Sequence, residues 1–216
     1  MILRKFLHSC ILIESEVKRL LIDPGTFSFA DGTVTPADIG PVDTLIITHE
    51  HPDHFSPEHI AQLQKRNGFA LVSHRRILEL AKPLNLASVE INAEQRIEAN
   101  TFAIFALTAP HGPLPIPIPE NLGFLINDRV FHPGDSLEFA LVTAPAVLLL
   151  PIAGPWLRFT DTLEKAVAIK PHTVIPIHDW IIKDLFLMRL YDLATQRLAQ
   201  ANIAFKSLAP GETLEI

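Results

Sequence analysis

Residues 49 to 54 place four potential metal ligands close together in the chain. The segment reads His49-Glu50-His51-Pro52-Asp53-His54 and has the form H-x-H-x-D-H. Imidazole nitrogens and carboxylate oxygens suit zinc and other borderline first-row cations. At the end of a strand, residues two apart point to the same side, so His49 and His51 can bind one cation together. Asp53 and His54 follow in a turn and can reach a neighbouring position.

Three more potential ligands lie just past the ends of predicted strands, beside the glycine or proline of a tight loop. They are His111 after Thr101–Thr108, Asp135 after Arg129–His132, and His178 after Thr173–Pro176. A site for two metals needs more ligands than residues 49 to 54 supply, and these side chains can complete it. The pattern therefore predicts a two-metal centre built from loops at strand ends.

The strand before the histidine-rich segment is the clearest of the elements that must position these ligands. Thr44–Thr48 is a β-branched apolar run of the kind buried on both faces of a sheet, and it ends directly at His49. Ser56 is a suitable N-cap, and Pro57 suits the first turn of a helix that runs to about Arg66. The segment is therefore expected to lie in the turn between a strand and a helix.

A long helix is predicted near the end of the chain. Asp184–Ala201 has apolar residues at helical spacing, namely Leu185, Met188, Leu190, Leu193 and Leu198, and this spacing is typical of an amphipathic helix. Strands followed by helices occur in both halves of the chain. This order favours two packed sheets with helices outside, although it does not reveal the order of strands in either sheet.

The order H-x-H-x-D-H, then His, then Gly-Asp, then a late His resembles the metallo-β-lactamase superfamily. The chain is similar to its branch of ascorbate-6-phosphate-lactonase-like enzymes and small metal-dependent hydrolases. Five further segments carry the resemblance: Leu7–Glu14, Leu20–Gly25, Phe131–Ser136, Leu149–Pro155 and Lys170–His178. The resemblance covers most of the chain and implies an α/β (α+β) fold, the four-layer αββα sandwich.

The family pattern also implies how the ligands divide between two metals. One metal is implied on His49, His51 and His111. The other is implied on Asp53, His54 and His178, with Asp135 bridging both. Two such cations share a water molecule and lower its pKa toward neutrality, which supplies hydroxide at physiological pH. Asp53 would orient this nucleophile and take part in proton transfer, so it is the expected catalytic residue.

Other polar residues are expected to support the centre or to be structural. Structural roles are expected for His59, His74 and His172. His132 is expected to orient a ligand by a hydrogen bond, and Asp23 to brace the metal loop. His8 is left open between a structural role and substrate contact or proton transfer. Cys10 is flanked by apolar residues and is expected to be an inert core thiol.

The chain departs from the branch at three positions near the expected cleft. Leu7 stands where Gly is usual, Ala153 stands where a Gly-Gly pair often begins, and Asp179 stands where an aromatic residue commonly follows the last ligand. The resemblance therefore does not define the substrate. Three aromatic residues on nearby loops predict an apolar wall for an acyl or other apolar substrate: Trp156, Phe159 and Trp180. A packed loop or a subunit interface explains them equally well.

Composition narrows the class of protein. Of the 216 residues, 48% are hydrophobic and 19% are charged, which supports a large core and excludes a disordered or fibrous chain. No linker or repeat divides residues 1–216, so one domain is expected.

The 18 basic and 24 acidic side chains give a formal charge of −6, which disfavours nucleic acid as a partner. Prolines and glycines interrupt the uncharged stretch Phe139–Leu157, so no membrane span is expected. Cys10 is the only cysteine, which favours a reducing cytoplasm.

Together these features predict a binuclear metal-dependent hydrolase acting on a small molecule. The expected bond is that of a lactone, ester, thioester, amide or phosphodiester, and zinc is the favoured metal, with manganese or iron as alternatives. The same ligands could hold a single iron in a dioxygenase-type oxidoreductase. A nuclease is disfavoured by the acidic balance and by the lack of a long inserted RNA-binding segment. A metal that only braces the fold is a further alternative, and the oligomeric state is left open.

Overall fold

The chain folds into two seven-stranded mixed sheets, and the computed structural model describes all 216 residues. The first sheet contains β1 (Ile2–Lys5), β2 (Ile11–Ser15), β3 (Lys18–Ile22), β4 (Thr44–Ile46), β5 (Ala70–Ser73), β6 (Ala87–Glu90) and β14 (Thr213–Glu215). The second contains β7 (Arg96–Ala99), β8 (Phe102–Thr108), β9 (Leu122–Ile126), β10 (Val130–His132), β11 (Val147–Pro151), β12 (Thr173–Ile177) and β13 (Ala204–Phe205). The helices are α1 (Pro36–Ile39), α2 (Pro57–Gln64), α3 (Arg75–Ala81), α4 (Phe159–Ile169) and α5 (Asp184–Ala199).

Both sheets follow the same pairing scheme. The first has the order β14-β1-β2-β3-β4-β5-β6, and the second has the order β13-β12-β11-β10-β9-β8-β7. In the first sheet the pairs from β14 to β3 are antiparallel and those from β3 to β6 are parallel. In the second sheet the pairs from β7 to β10 are antiparallel and those from β10 to β13 are parallel. Consequently β1, β3 and β4 run in one direction in the first sheet, and β8, β10 and β12 do so in the second. The carboxyl ends of each set lie at one edge of their sheet.

Alternation of side chains along the strands produces three apolar layers. In β2, Ile11 and Ile13 join the core between the sheets, whereas Leu12 faces the outer layer with α2 and α3. In β11, Leu149 joins the central core and Leu148 packs in the layer that contains residues of α4 and α5. Such two-sided burial explains the continuous apolar runs in the sequence, and each buried side chain contributes roughly 1.5–3 kcal/mol. The αββα sandwich is confirmed.

The helix after the histidine-rich segment begins where it was predicted. Pro57 is its first residue, and the Ser56 hydroxyl accepts a hydrogen bond from the His59 backbone amide at 3.4 Å. None of the helices is both long enough and apolar enough to cross a membrane. The uncharged stretch Phe139–Leu157 instead contains the buried strand β11.

The predicted apolar face of α5 is wrong for Leu185, Met188 and Leu193, which are 86%, 66% and 38% exposed. The buried positions are Leu190, Ala194 and Leu198, spaced four residues apart. This spacing places them on one face, where Ala194 and Leu198 pack in the outer layer of the second sheet. The apolar residues before Leu190 lie outside that contact.

Candidate metal centre

Every potential ligand follows the carboxyl end of one of these similarly directed strands. In the first sheet, His8 follows β1 and residues 49 to 54 follow β4. In the second sheet, His111, Asp135 and His178 follow β8, β10 and β12. Because the two sheets pack face to face, the loops at these edges meet. These side chains therefore lie just past strand ends, where the sequence predicted them.

The ligand side chains form two groups in which the ligand atoms all lie within 4.8 Å of one another. One group contains His49, His51, His111 and Asp135. The other contains His8, Asp53, His54 and His178. All seven residues predicted from the sequence are therefore brought together. His8, whose role the sequence left open, joins the second group, and its Nε2 lies 3.1 Å from Asp53 Oδ2.

Asp135 belongs to the group with His49 and His111 and also contacts two histidines of the group with His8. Its Oδ1 is 3.1 Å from His54 Nε2, and its Oδ2 is 3.0 Å from His178 Nε2. The same Oδ2 is 3.6 Å from His111 Nε2 in its own group. Two atoms bound to one tetrahedral zinc lie about 3.3 Å apart, given bonds of about 2.0–2.1 Å. Asp135 thus has oxygens near imidazole nitrogens of both groups, as the expected bridging role requires.

The donor set fits metal ions because several of its buried atoms have no suitably oriented hydrogen-bond partner. These atoms include His54 Nε2, His111 Nε2, His178 Nε2 and Asp135 Oδ1. A buried polar atom without a partner is costly, and a cation supplies the missing interaction. His111 Nδ1 donates to the Gly112 carbonyl at 2.7 Å, which leaves Nε2 as the free lone pair.

Asp23 holds the His54 ring in one orientation by a hydrogen bond, as the Gly112 carbonyl does for His111. The buried Asp23 Oδ2 accepts a hydrogen bond from His54 Nδ1 at 2.8 Å. Its two oxygens also accept from the Thr48 backbone amide at 2.8 Å and from the Thr48 hydroxyl at 2.7 Å. The expectation that Asp23 braces the metal loop is confirmed. His132 contacts backbone instead of a ligand side chain, because its Nδ1 accepts from the Gly134 amide at 3.0 Å.

The family model described as the beta-lactamase superfamily domain matches residues 3–178, which contain every member of both ligand groups. This chain belongs to the metallo-β-lactamase superfamily. The protein Rv0786c of Mycobacterium tuberculosis is 31% identical over 206 residues, which cover 89% of this chain and 92% of that protein. A UPF0173 metal-dependent hydrolase of Nanoarchaeum equitans, NEQ378, is 29% identical over 185 residues and covers 79% of this chain and 80% of its own length.

A solved structure extends the likeness in fold along the whole chain. Igni18, a metallo hydrolase from Ignicoccus hospitalis, superposes with a TM-score of 0.79 at 21% identity, over 100% of this chain and 98% of its own. At that identity the likeness concerns the fold alone. The two-sheet architecture is therefore one that this chain shares with Igni18.

In this metallo-β-lactamase centre, burial and neighbouring charges shift the pKa values of the carboxyl and imidazole groups, often in opposite directions. Burial by itself would raise the pKa of Asp135, but His54 and His178 beside it hold that pKa well below its usual range. Burial likewise opposes charge on His178, but Asp135 and Asp53 raise its pKa to about 9. For His49, burial and the neighbouring His54 hold the pKa well below its ordinary value. The carboxylates are thus kept ionised, which is the form that binds cations.

Unusual backbone conformations occur at three residues of the centre. Asp23, His8 and His178 have φ values of 50°, 59° and 58°, in the left-handed region that favours glycine. Each such residue costs about 1–3 kcal/mol and persists because its surroundings hold it. A Cβ on Gly25 would lie 1.9 Å from the Asp53 carbonyl oxygen, so only glycine permits the close approach of these two loops.

A small cavity of about 160 Å³ opens onto the metal centre. It is lined by His51, Asp53, His111, Leu114, Asp135, Pro155, Trp156 and His178. Of the three aromatic residues expected to form an apolar wall, only Trp156 lines this cavity. Trp180 lines a separate cavity of about 420 Å³, and Phe159 packs against the outer core of the second sheet. Leu114 and Pro155 also line it.

Proposed function

We propose that this protein is a binuclear zinc hydrolase that cleaves a small, uncharged carboxylic acid derivative: a lactone, ester, thioester or amide. The observation that carries the proposal is the pair of four-residue ligand groups, whose ligand atoms lie within 4.8 Å of one another in each group. Imidazole and carboxylate ligands without thiolates suit zinc, with manganese or iron as the alternatives. The name of the relative from Nanoarchaeum equitans agrees with a metal-dependent hydrolase.

The lining of the cavity favours an acyl substrate over a phosphodiester. None of its eight lining residues is Lys or Arg. A phosphodiester carries a negative charge that proteins usually meet with such side chains. The formal charge of −6 adds long-range repulsion of polyanions, so a nuclease is the weaker candidate.

Asp53 is the carboxylate best placed for proton transfer. Divalent cations held by the two groups would lower the pKa of a water molecule toward neutrality and polarise the substrate oxygen. Asp53 lines the cavity with its side chain 18% exposed, whereas the side chain of Asp135 is only 2% exposed. Its contact with His8 Nε2, at 3.1 Å, fixes the carboxylate, so that it can accept a proton from water and deliver it to the leaving group.

Trp156 is positioned to hold the acyl part of the substrate. Its ring centroid lies 5.6 Å from that of His111 and 6.1 Å from that of His178, so it covers the centre from one side. Leu114 and Pro155 extend the apolar surface. The cavity volume of about 160 Å³ accommodates the scissile group and a few neighbouring atoms, so longer acyl chains would extend toward solvent.

The test combines metal analysis with a panel of lactones, esters, thioesters, amides and a phosphodiester. About two zinc ions per chain and hydrolysis of a carboxylic derivative are expected. His51→Ala and Asp53→Ala should each lose the metal of one group and nearly all activity. The matched control is His172→Ala, because His172 is exposed and lies outside both ligand groups. Activity retained in either variant, or in the metal-free protein, would overturn the proposal.

Two further measurements, of bound iron and of turnover, separate this hydrolase from the alternative functions. Bound iron with oxygen uptake on turnover would replace the hydrolase with an oxidoreductase. A folded, metal-loaded protein that turns over no member of the panel would support a metal that only braces the fold. The rate at each acyl chain length tests the apolar wall, and indifference to chain length would remove it.

A further inference from the structure

A buried ion pair joins the two loops that carry His8 and His178. Lys5 is the last residue of β1 in the first sheet, and its Nζ lies 3.0 Å from Asp179 Oδ2 and 3.2 Å from Oδ1. Asp179 directly follows His178 at the end of β12 in the second sheet. Lys5 and Asp179 are each 4% exposed, so water screens their attraction little.

Two more hydrogen bonds complete what we call the Lys5 network, consisting of Lys5, Asp179 and Tyr191. The Tyr191 hydroxyl, from α5, donates to Asp179 Oδ2 at 2.8 Å. Lys5 Nζ also donates to the Phe6 carbonyl at 3.2 Å, within the loop that leads to His8. Asp179 is therefore held from the first sheet and from a helix, and Lys5 is held within its own loop.

The loops that the network joins contain two of the left-handed residues of the centre. His8 and His178 have φ values of 59° and 58°, and their ring centroids are 4.1 Å apart. A strained backbone relaxes unless its neighbours prevent it. The Lys5–Asp179 contact begins three residues before His8 and one residue after His178, so it restrains both loops.

The network does not face the metal cavity. Lys5, Asp179 and Tyr191 line the separate cavity of about 420 Å³, which shares no lining residue with the cavity at the metals. Any influence on the chemistry must therefore pass through the positions of His8 and His178. Both of these histidines belong to the ligand group with Asp53 and His54, and neither belongs to the group with His49.

We propose that Lys5, Asp179 and Tyr191 are positioning residues that set the affinity of one metal position, the His8/Asp53/His54/His178 group, and not of the other. This inference rests on the proposed two-metal function. Residues that orient metal ligands typically contribute about 10- to 100-fold to metal affinity. Asp179→Asn should weaken binding at that position by about this factor, and Tyr191→Phe should do so by less.

The experiment measures Co²⁺ affinity and the Co²⁺ absorption spectrum at each position separately. A His51→Ala background disables the group with His49, and a His54→Ala background disables the group with His8. Asp179→Asn is expected to weaken Co²⁺ binding and alter its spectrum in the first background and to leave both unchanged in the second. Equal weakening in both backgrounds, or no change in either, would overturn the inference.

A matched control comes from a second Lys–Asp pair. Lys18 Nζ contacts Asp43 Oδ1 at 2.8 Å, at the opposite ends of β3 and β4 from the metal loops. Lys18→Met should leave Co²⁺ binding unchanged in both backgrounds. Asp179→Asn leaves Lys5 without its partner, so the double variant Lys5→Met with Asp179→Asn removes both charges. If the single variant does not fold, the double variant and Tyr191→Phe must show the selective loss, and retained affinity in both refutes the inference.

Failure of the inference and failure of the proposed function give different results. A wild-type chain that binds fewer than two cobalt ions contradicts the two-metal function itself. A wild-type chain that binds two and hydrolyses its substrate, while Asp179→Asn binds both equally well, contradicts only the role of the Lys5 network.

Discussion

Replacing Asp23 by asparagine tests how the centre orients its histidines. Three donors converge on this buried carboxylate: the Thr48 amide, the Thr48 hydroxyl and His54 Nδ1, at 2.8, 2.7 and 2.8 Å. Asparagine keeps the shape but replaces one accepting oxygen with a donating NH₂ group. One buried donor then loses its acceptor, at a cost of about 1–3 kcal/mol. That cost corresponds to a change of about 5- to 150-fold in an equilibrium constant.

The consequence for metal binding follows from the imidazole tautomer. If the new NH₂ group faces His54 Nδ1, the ring must accept there and carry its hydrogen on Nε2. That nitrogen is the atom directed at Asp135, 3.1 Å away, and it cannot bind a cation while protonated. We therefore expect Asp23→Asn to weaken zinc binding by about 10- to 100-fold. The free energy of unfolding should fall by about 1–3 kcal/mol.

Competition with a chromophoric zinc chelator measures the affinity, and urea unfolding measures the stability. Asp43→Asn is the matched control, because Asp43 also accepts from a backbone amide, that of Arg19, at 2.9 Å, but lies far from the metal loops. It should lose stability while keeping its zinc affinity. A folded Asp23→Asn variant that binds zinc as tightly as the wild type would refute this reasoning.

Three other outcomes follow from the same contacts. Gly134→Ala should lower the free energy of unfolding in urea by about 2–4 kcal/mol. Gly134 has a φ of 59°, and an added Cβ would lie 2.0 Å from Asn121 Oδ1. An unchanged urea midpoint would contradict this expectation. Burial raises the pKa of the Cys10 thiol well above its ordinary value. A thiol reagent at pH 8 should therefore label Cys10 quickly only after the protein unfolds. Rapid labelling of the native protein would refute the burial of Cys10. Free metal at 100 times its dissociation constant stabilises a protein by about 2.7 kcal/mol. Chelation should therefore lower the Tm by about 5–10 °C. An unchanged Tm would argue against bound metal.

The ligands could be predicted because their signals are local. Residues 49 to 54 follow a short β-branched run, and buried parallel strands have that composition because helices or a second sheet cover both faces. His111, Asp135 and His178 each follow another strand that the sequence predicts. Neighbouring residues indicate where a strand lies and where it ends. The positions of these side chains could therefore be predicted without knowing the strand order.

Features that depend on distant partners could not be predicted in this way. His8 joins the ligand group because β1 runs parallel to β3 and because the backbone turns through the left-handed region, and neither fact is visible in its neighbours. The strands β13 and β14 are too short to show periodicity, and they exist because they pair with β12 and β1. The helix α3 was missed as well. Its Ile77 and Ala81 are buried against the first sheet, which only the folded chain reveals.

The placement of α5 shows a related limit. Periodicity identified the helix but not which apolar residues would be covered, because Leu185 and Met188 lie outside its packed face. The same applies to the aromatic residues. Trp156 and Trp180 both follow second-sheet strands, yet the loop after β12 directs Trp180 into a different cavity.

The division of the ligands between two sheets has a consequence for biosynthesis. Residues 49 to 54 leave the ribosome early, whereas His111, Asp135 and His178 come from the second half of the chain. The group with His49 is complete in sequence once Asp135 has been made, whereas the group with His8 is completed only by His178. A chain that stops between these residues offers one full set of donors, so loading of the second position would be the later event.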